Sequence, residues 1–165
     1  AAFPGMKVLL IDPLEDRCAL AATLGADKTA SPGDDALTAS AAMSDGYGVD
    51  AVFDTVGGAP LLKSGLALSR EGGSVVLFAH APEGQRADFD LNDLFKYERR
   101  ILGTYSGALR EQATIFELIT SGQFDPTPIV SHTMPLDNFA LGYQLAKERK
   151  ALKILFTPSH ASVSS

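Results

Sequence analysis

The residues best placed to do chemistry are Asp12 and Arg17. Asp12 closes the run Met6-Lys-Val-Leu-Leu-Ile-Asp12, whose consecutive apolar residues read as a short strand buried on both faces, as in a parallel sheet. A carboxylate at the carboxyl end of such a strand can accept hydrogen bonds from the ribose hydroxyls of a dinucleotide. The same side chain can cap a helix, because Asp12-Pro13-Leu14-Glu15 places Pro at the first helical position and Glu three residues after the cap. The two uses are compatible, since one oxygen can cap while the other accepts. Arg17, about one turn into that helix, can reach a ribose or a phosphate, or stand as a solvated helix-face charge. The glycine-rich phosphate turn of a dinucleotide site lies about 20 residues before this carboxylate. Counting back from Asp12 passes residue 1, so that turn and the strand before it are expected to be missing from this chain.

Other reactive arrangements are excluded by count or spacing. One Cys and three His leave no internal disulfide framework and no multi-thiolate zinc site. Cys18 falls on the apolar face of a helix and reads as core. His132 stands alone in Ser131-His-Thr133. No Ser-His-Asp or paired-carboxylate spacing is present, and Gly-x-Ser-x-Gly is missing.

The elements that must position Asp12 follow from composition and pattern. The chain has 165 residues, 14 Lys+Arg against 20 Asp+Glu, a net charge of −6 and 45% apolar residues. That is an ordinary globular composition. No apolar run approaches the ~18 residues of a membrane span, and the N-terminus lacks a signal-peptide layout. The acidic balance excludes nucleic acid as a partner, since the one basic cluster is Lys147, Arg149, Lys150 and Lys153. A cytoplasmic location is expected. Further buried strands are expected at Asp50–Val56, Ser74–Ala79 and Arg100–Tyr105, with a short extended piece at 29–31. Helices are expected from Pro13 to a stop at Gly25 and over Asp34–Met43, Pro60–Leu68 and Leu109–Ile119, with a polar loop between Ala79 and Arg100. From Pro126 the pattern becomes extended (Pro128–Pro135), helical (Leu136–Arg149) and extended again (Leu152–Phe156). Residues 1–5 read as the exit of a preceding helix. Alternating strands and helices imply an α/β fold, a Rossmann-like doubly wound, mostly parallel sheet, lacking its first strand and glycine-rich loop. Residues 1–125 form the partial dinucleotide-binding domain, 126–158 a C-terminal segment and 159–165 a tail. In the strand order 3-2-1-4-5-6 the first strand is central, and its absence exposes two apolar edges. Closure by sheet rearrangement, by another chain or by the strand Leu152–Phe156 is expected.

The order of segments is more specific than any single residue. Val8-Leu-Leu-Ile-Asp12, Arg17, Leu24-Gly-Ala-Asp27, Gly48-Val-Asp-Ala-Val-Phe-Asp54, Gly57, Gly72-Gly-Ser-Val-Val76, Ile101-Leu-Gly103, Ile129-Val-Ser-His132, Pro135-Leu136 and Lys153 follow one another. Over residues 6–158 this resembles the cofactor-binding and C-terminal part of the medium-chain, zinc-type alcohol and polyol dehydrogenases, of the sorbitol dehydrogenase kind. The resemblance implies that Asp12 binds the adenosine ribose and favours NAD over NADP, with Arg17 beside it. It implies that Thr55, Val56 and Gly57 pass beside the cofactor riboses, and that Phe78, Ala79 and His80 flank the nicotinamide. Ala79 departs from the glycine usual near this position. Lys153 matches a residue that reaches the cofactor pyrophosphate. Zinc belongs to an N-terminal domain absent here, so no catalytic residue and no metal ligand is expected in this chain. The segment 126–158 would return toward that domain. The full-length enzyme would be a homodimer through the 100–105 strand, passing hydride between a secondary alcohol or polyol and NAD, and this chain alone would be inactive. Two rivals stand beside this reading. A zinc-free quinone or enoyl reductase of the same superfamily, normally NADP-dependent, is opposed by Asp12. A non-catalytic nucleotide-binding or interaction domain is favoured by the absent zinc and glycine motifs.

Overall fold

The computed structural model describes residues 5–158; the tail expected over 159–165 and most of the helix exit expected over 1–5 lie outside the described residues. The apolar run before Asp12 forms β1 (Leu9–Ile11), followed by α1 (Glu15–Thr23) and β2 (Lys28–Ala30). β2 runs parallel to β1, with Leu9 opposite Lys28 and Ile11 opposite Ala30. Asp27 starts the pairing: its Oδ2 accepts the Val8 N–H at 2.7 Å. α1 begins at Glu15 with Leu14 in the N-cap position, two residues later than the capping pattern places it. Glu15 and Asp16 then occupy the first turn, where their charge complements the helix dipole.

α2 (Asp34–Met43) buries Ala36, Ala39 and Ser40 on one face. β3 (Val49–Asp54), α3 (Ala59–Leu68), β4 (Ser69–Leu77) and β5 (Arg100–Gly103) complete the first unit, Ala1–Ser106. The strands pair in the order β3-β4-β5, all parallel. β4 is central, and its Val75 is fully buried against Leu62 and Leu66 of α3. A second cluster joins Ala30, Ala36, Ala39 and Leu68 to Leu9, Ile11 and Val52, so Val52 packs against both clusters. Burial of each large aliphatic side chain here stabilises by about 1.5–3 kcal/mol. The stretch expected as loop before β5 carries a short helix, α4 (Asn92–Phe95), held by Leu94 against the Val75 cluster.

The sheet is interrupted where the first strand is expected. Hydrogen bonding stops at β1 on one side and at β3 on the other, and among the described residues no strand joins them. Both edges nevertheless lie under α2, which touches β1, β2 and β3. Rearrangement and the C-terminal strand do not close the centre. That strand, β7 (Lys153–Thr157), pairs instead with β6 (Val130–Pro135). The short helical crossover between them makes the local pairing cheap in loop entropy.

The second unit, Gly107–Ser165, consists of α5 (Leu109–Thr120), β6, α6 (Phe139–Lys147) and β7. One-turn 3-10 segments precede β6 and α6. Gly142 of α6 is buried against the Phe156 ring and Met134, and Phe139 lies 5.3 Å from Phe156, centroid to centroid. The Thr127 hydroxyl, followed by its N–H, holds the Asp125 carboxyl below its ordinary range. Lys150 does the same to Glu148 and is raised in return. These are turn contacts on the surface. No helix among the described residues is long and apolar enough to cross a membrane.

Candidate functional site

In the first unit the candidate site residues sit at the carboxyl ends of parallel strands, the end at which open α/β sheets bind ligands. Asp12 follows β1. Its Oδ1 accepts the Leu14 N–H at 2.9 Å, a bond that shapes the turn into α1. Its Oδ2 lies 3.4 Å from Arg17 Nη1. The structure therefore brings these two expected residues together. The pair is loose, and the Asp12 side chain is 21% exposed, so Oδ2 retains lone pairs open to a hydroxyl donor. The Cys18 thiol points at the Asp12 carbonyl, 3.4 Å away.

The second group is built on β3 and β4. β3 ends at Asp54, which leaves Thr55 and Val56 in the turn instead of the strand. Asp54 Oδ1 accepts the N–H groups of Val56 at 3.0 Å and Gly57 at 2.8 Å. Asp54 is 7% exposed, and its Oδ2 is buried without a partner. Gly57 has φ +88° and a Cβ there would collide with the His80 carbonyl. The turn 55–57 is thereby pressed onto Ala79 and His80, two further expected residues. The Phe78 N–H donates to the Asp54 carbonyl at 3.0 Å, which fixes the two strand ends side by side. Val56 and Phe78 are 73% and 58% exposed and offer an apolar wall. His80 meets the Tyr105 ring edge-on at 5.5 Å.

Asp54 and Tyr105 were not singled out by the sequence. The Asp-Thr-Val-Gly-Gly run is an Asx-turn signal and could have revealed Asp54. Tyr105 is placed only by the approach of β5 to β4, which no local pattern encodes. Lys153 is the first residue of β7, exposed, in the second unit. His132 is half-buried on β6, with Nδ1 2.9 Å from Ser131 Oγ.

The residues present fit the ribose and flat-ring ends of a dinucleotide: a carboxylate with free acceptor capacity, and an apolar, aromatic-flanked wall. They do not fit a catalytic zinc, since among the described residues no three of His, Cys, Asp and Glu come together as ligands.

Comparisons with known proteins agree. A family model for zinc-binding dehydrogenases matches residues 1–121. L-threonine 3-dehydrogenase of Bacillus subtilis is 26% identical over 160 residues, covering 92% of this chain and 44% of the relative. Sorbitol dehydrogenase of Halalkalibacterium halodurans is 29% identical over 119 residues, 70% of this chain and 34% of that one. Among solved structures, the alcohol dehydrogenase TADH of Thermus sp. ATN1 superposes with a TM-score of 0.81 at 29% identity, covering 93% of this chain and 44% of its own. The chain thus spans less than half the length of these relatives. With its parallel α/β architecture, it belongs to the zinc-binding dehydrogenase family, as the C-terminal, cofactor-binding portion of that fold.

Proposed function

We propose that this chain is the nicotinamide-cofactor-binding portion of a dehydrogenase that passes hydride between a secondary alcohol or polyol and NAD. The observation that supports it most is the Asp12 carboxylate, half-buried after β1, with one oxygen spent on the turn and the other shared loosely with Arg17. In this reading Asp12 accepts from the adenosine ribose hydroxyls and Arg17 orients it. The 55–57 turn and the 78–80 loop present backbone and apolar side chains to the nicotinamide end. Lys153 keeps the pyrophosphate role that the family resemblance implies. The bound nicotinamide supplies the hydride acceptor; the chain binds and orients it. Zinc, in this reading, is held by a domain outside the present sequence, and the protein works in the cytoplasm.

Titration with NADH and NADPH, followed by reduced-nicotinamide fluorescence, tests the assignment. NADH is expected to bind the more tightly, because the Asp12 charge repels a 2′-phosphate carrying about −1.5 to −2. Tighter NADPH binding would favour a zinc-free quinone or enoyl reductase, and binding of neither a non-catalytic domain. The purified chain with added zinc, NAD and a panel of alcohols is expected to yield no NADH; measurable reduction overturns the assignment of chemistry to a missing part. The outer edge of β5, paired only with β4 and carrying Leu102 at 47% exposure, is the surface proposed for the homodimer. Light scattering at micromolar concentration is expected to give twice the 17.4 kDa chain mass, and a monodisperse monomer contradicts it.

A further inference from the structure

The first unit holds a cavity of about 530 Å³, within the range of roughly 300–1,000 Å³ typical of small-molecule sites. Arg99, one of its lining residues, places it in the fold. This residue immediately precedes β5, and its Nη2 donates at 3.0 Å to the carbonyl of Ser69, the first residue of β4. The cavity therefore adjoins the amino ends of these strands, whereas the 55–57 turn and the 78–80 loop follow the carboxyl ends of β3 and β4. Leu66 of α3 and Phe89 give it an apolar wall continuous with the Val75 cluster.

The rest of the lining carries both signs of charge. Lys63 and Arg99 stand with Asp88, Asp90 and Asp93, leaving the negative sign in slight excess. The Arg99 side chain is 16% exposed and its guanidinium lies over the Tyr97 ring at 4.9 Å, so the cation is held in place. Its Nε is buried and out of a ligand's reach, which leaves Nη1. That nitrogen stands 4.0 Å from Asp93 Oδ1, too far for a hydrogen bond. A desolvated charge is ordinarily paired and hydrogen-bonded. Here two opposite charges lie side by side, and neither satisfies the other.

This pattern selects among ligands. A single metal ion does not fit, since among the described residues no three of His, Cys, Asp and Glu come close enough to share one. A simple anion meets three carboxylates, and a simple cation meets Lys63 and the fixed Arg99. A molecule whose ammonium and carboxylate stem from one carbon can set its carboxylate on Arg99 Nη1 and its ammonium on Asp93. It then fills the 4.0 Å break with two charge-assisted hydrogen bonds. We infer that this cavity is a binding site for a free α-amino acid with a large apolar side chain, whose charged groups bridge Arg99 and Asp93 and whose side chain lies against Leu66 and Phe89. The site goes beyond cofactor binding and stands independently of it.

Isothermal titration of the whole chain, without nucleotide, tests the site with three probes: L-phenylalanine, phenethylamine, which lacks the carboxylate, and hydrocinnamate, which lacks the ammonium. Saturable one-to-one binding of L-phenylalanine is expected, about tenfold or more tighter than either analogue, the equivalent of one charge-assisted hydrogen bond. Amide chemical-shift changes are expected over residues 63–67, 88–93 and 99. Arg99→Gln is expected to bring L-phenylalanine down to the affinity of phenethylamine. Because Arg99 is largely buried, Asp93→Asn, at a side chain 42% exposed, supplies a second reading and is expected to bring L-phenylalanine down to the affinity of hydrocinnamate. Absence of saturable binding, an analogue as tight as L-phenylalanine, or shift changes confined to the carboxyl ends of β3 and β4 overturns the inference. The comparison of probes makes this decision whether or not either variant folds.

Discussion

Replacing Gly57 by alanine is expected to lower the unfolding midpoint of the first unit by about 12 °C or more, equivalent to about 3 kcal/mol for a unit of this size. Two costs combine. An alanine at φ +88° pays about 1–2 kcal/mol for the left-handed backbone alone. Its Cβ also meets the His80 carbonyl, a backbone atom that cannot swing aside as a side-chain tip can. Relief requires the 55–57 turn to lift from the 79–80 loop, which strains the Asp54 bonds to Val56 and Gly57. Gly84 is the control. It also has a positive φ, +74°, but nothing lies within 4 Å of its added Cβ. Gly84→Ala is expected to cost only the conformational term, about 1–2 kcal/mol. Thermal unfolding of both variants by circular dichroism separates the two contributions. Equal shifts would show that the contact with His80 carries no energy.

The contrast between these glycines marks the limit of what the sequence discloses. Gly57-Gly58 reads as a turn from residue types alone, because Gly supplies positive φ at little cost. That the turn is pressed onto His80 depends on the β3–β4 register, a long-range pairing with Asp54 opposite Leu77. The apolar runs that become β1, β3, β4 and β5 are legible because strands buried on two faces need continuous hydrophobicity. The helix Asp34–Met43 is legible from its alanines. α4 is not, since a four-residue helix has no periodicity to display and exists because Leu94 finds the Val75 cluster. The break between β1 and β3 is half legible. Counting back from Asp12 leads to the expectation that no strand of this chain lies between β1 and β3, but the sequence does not say that Leu152–Phe156 prefers β6. That preference comes from α6, which returns the chain directly beside β6. In the site, Arg17 falls in the first turn of the helix that follows Asp12, so the two are readable as a pair. Asp54 is less so, because its role rests on burial of the second oxygen.

The Asp12–Arg17 pair yields the second large effect. Asp12→Asn retains an oxygen for the Leu14 N–H, so the turn into α1 is expected to persist, with little change in thermal midpoint. What the variant loses is the charge. NADH gives up a charge-assisted bond from its ribose hydroxyls, worth about 1.5–3 kcal/mol. NADPH is relieved of repulsion, and Arg17, no longer neutralised at 3.4 Å, becomes free to pair with the 2′-phosphate. The two changes act in opposite directions on the two cofactors. The ratio of NADPH to NADH dissociation constants is therefore expected to fall by about 30–100-fold, the equivalent of roughly 2–3 kcal/mol. Arg17→Ala separates the terms. In the wild-type background it removes an orienting contact and weakens NADH modestly; combined with Asp12→Asn it removes the cation that NADPH gained. The double variant is expected to lose most of the NADPH improvement, a non-additivity that a double-mutant cycle reads directly. If the ratio is unchanged in Asp12→Asn, the carboxylate serves the turn alone and the cofactor lies elsewhere. If the ratio shifts but Arg17→Ala is additive, the charge of Asp12 acts by repulsion without the arginine as its counterpart.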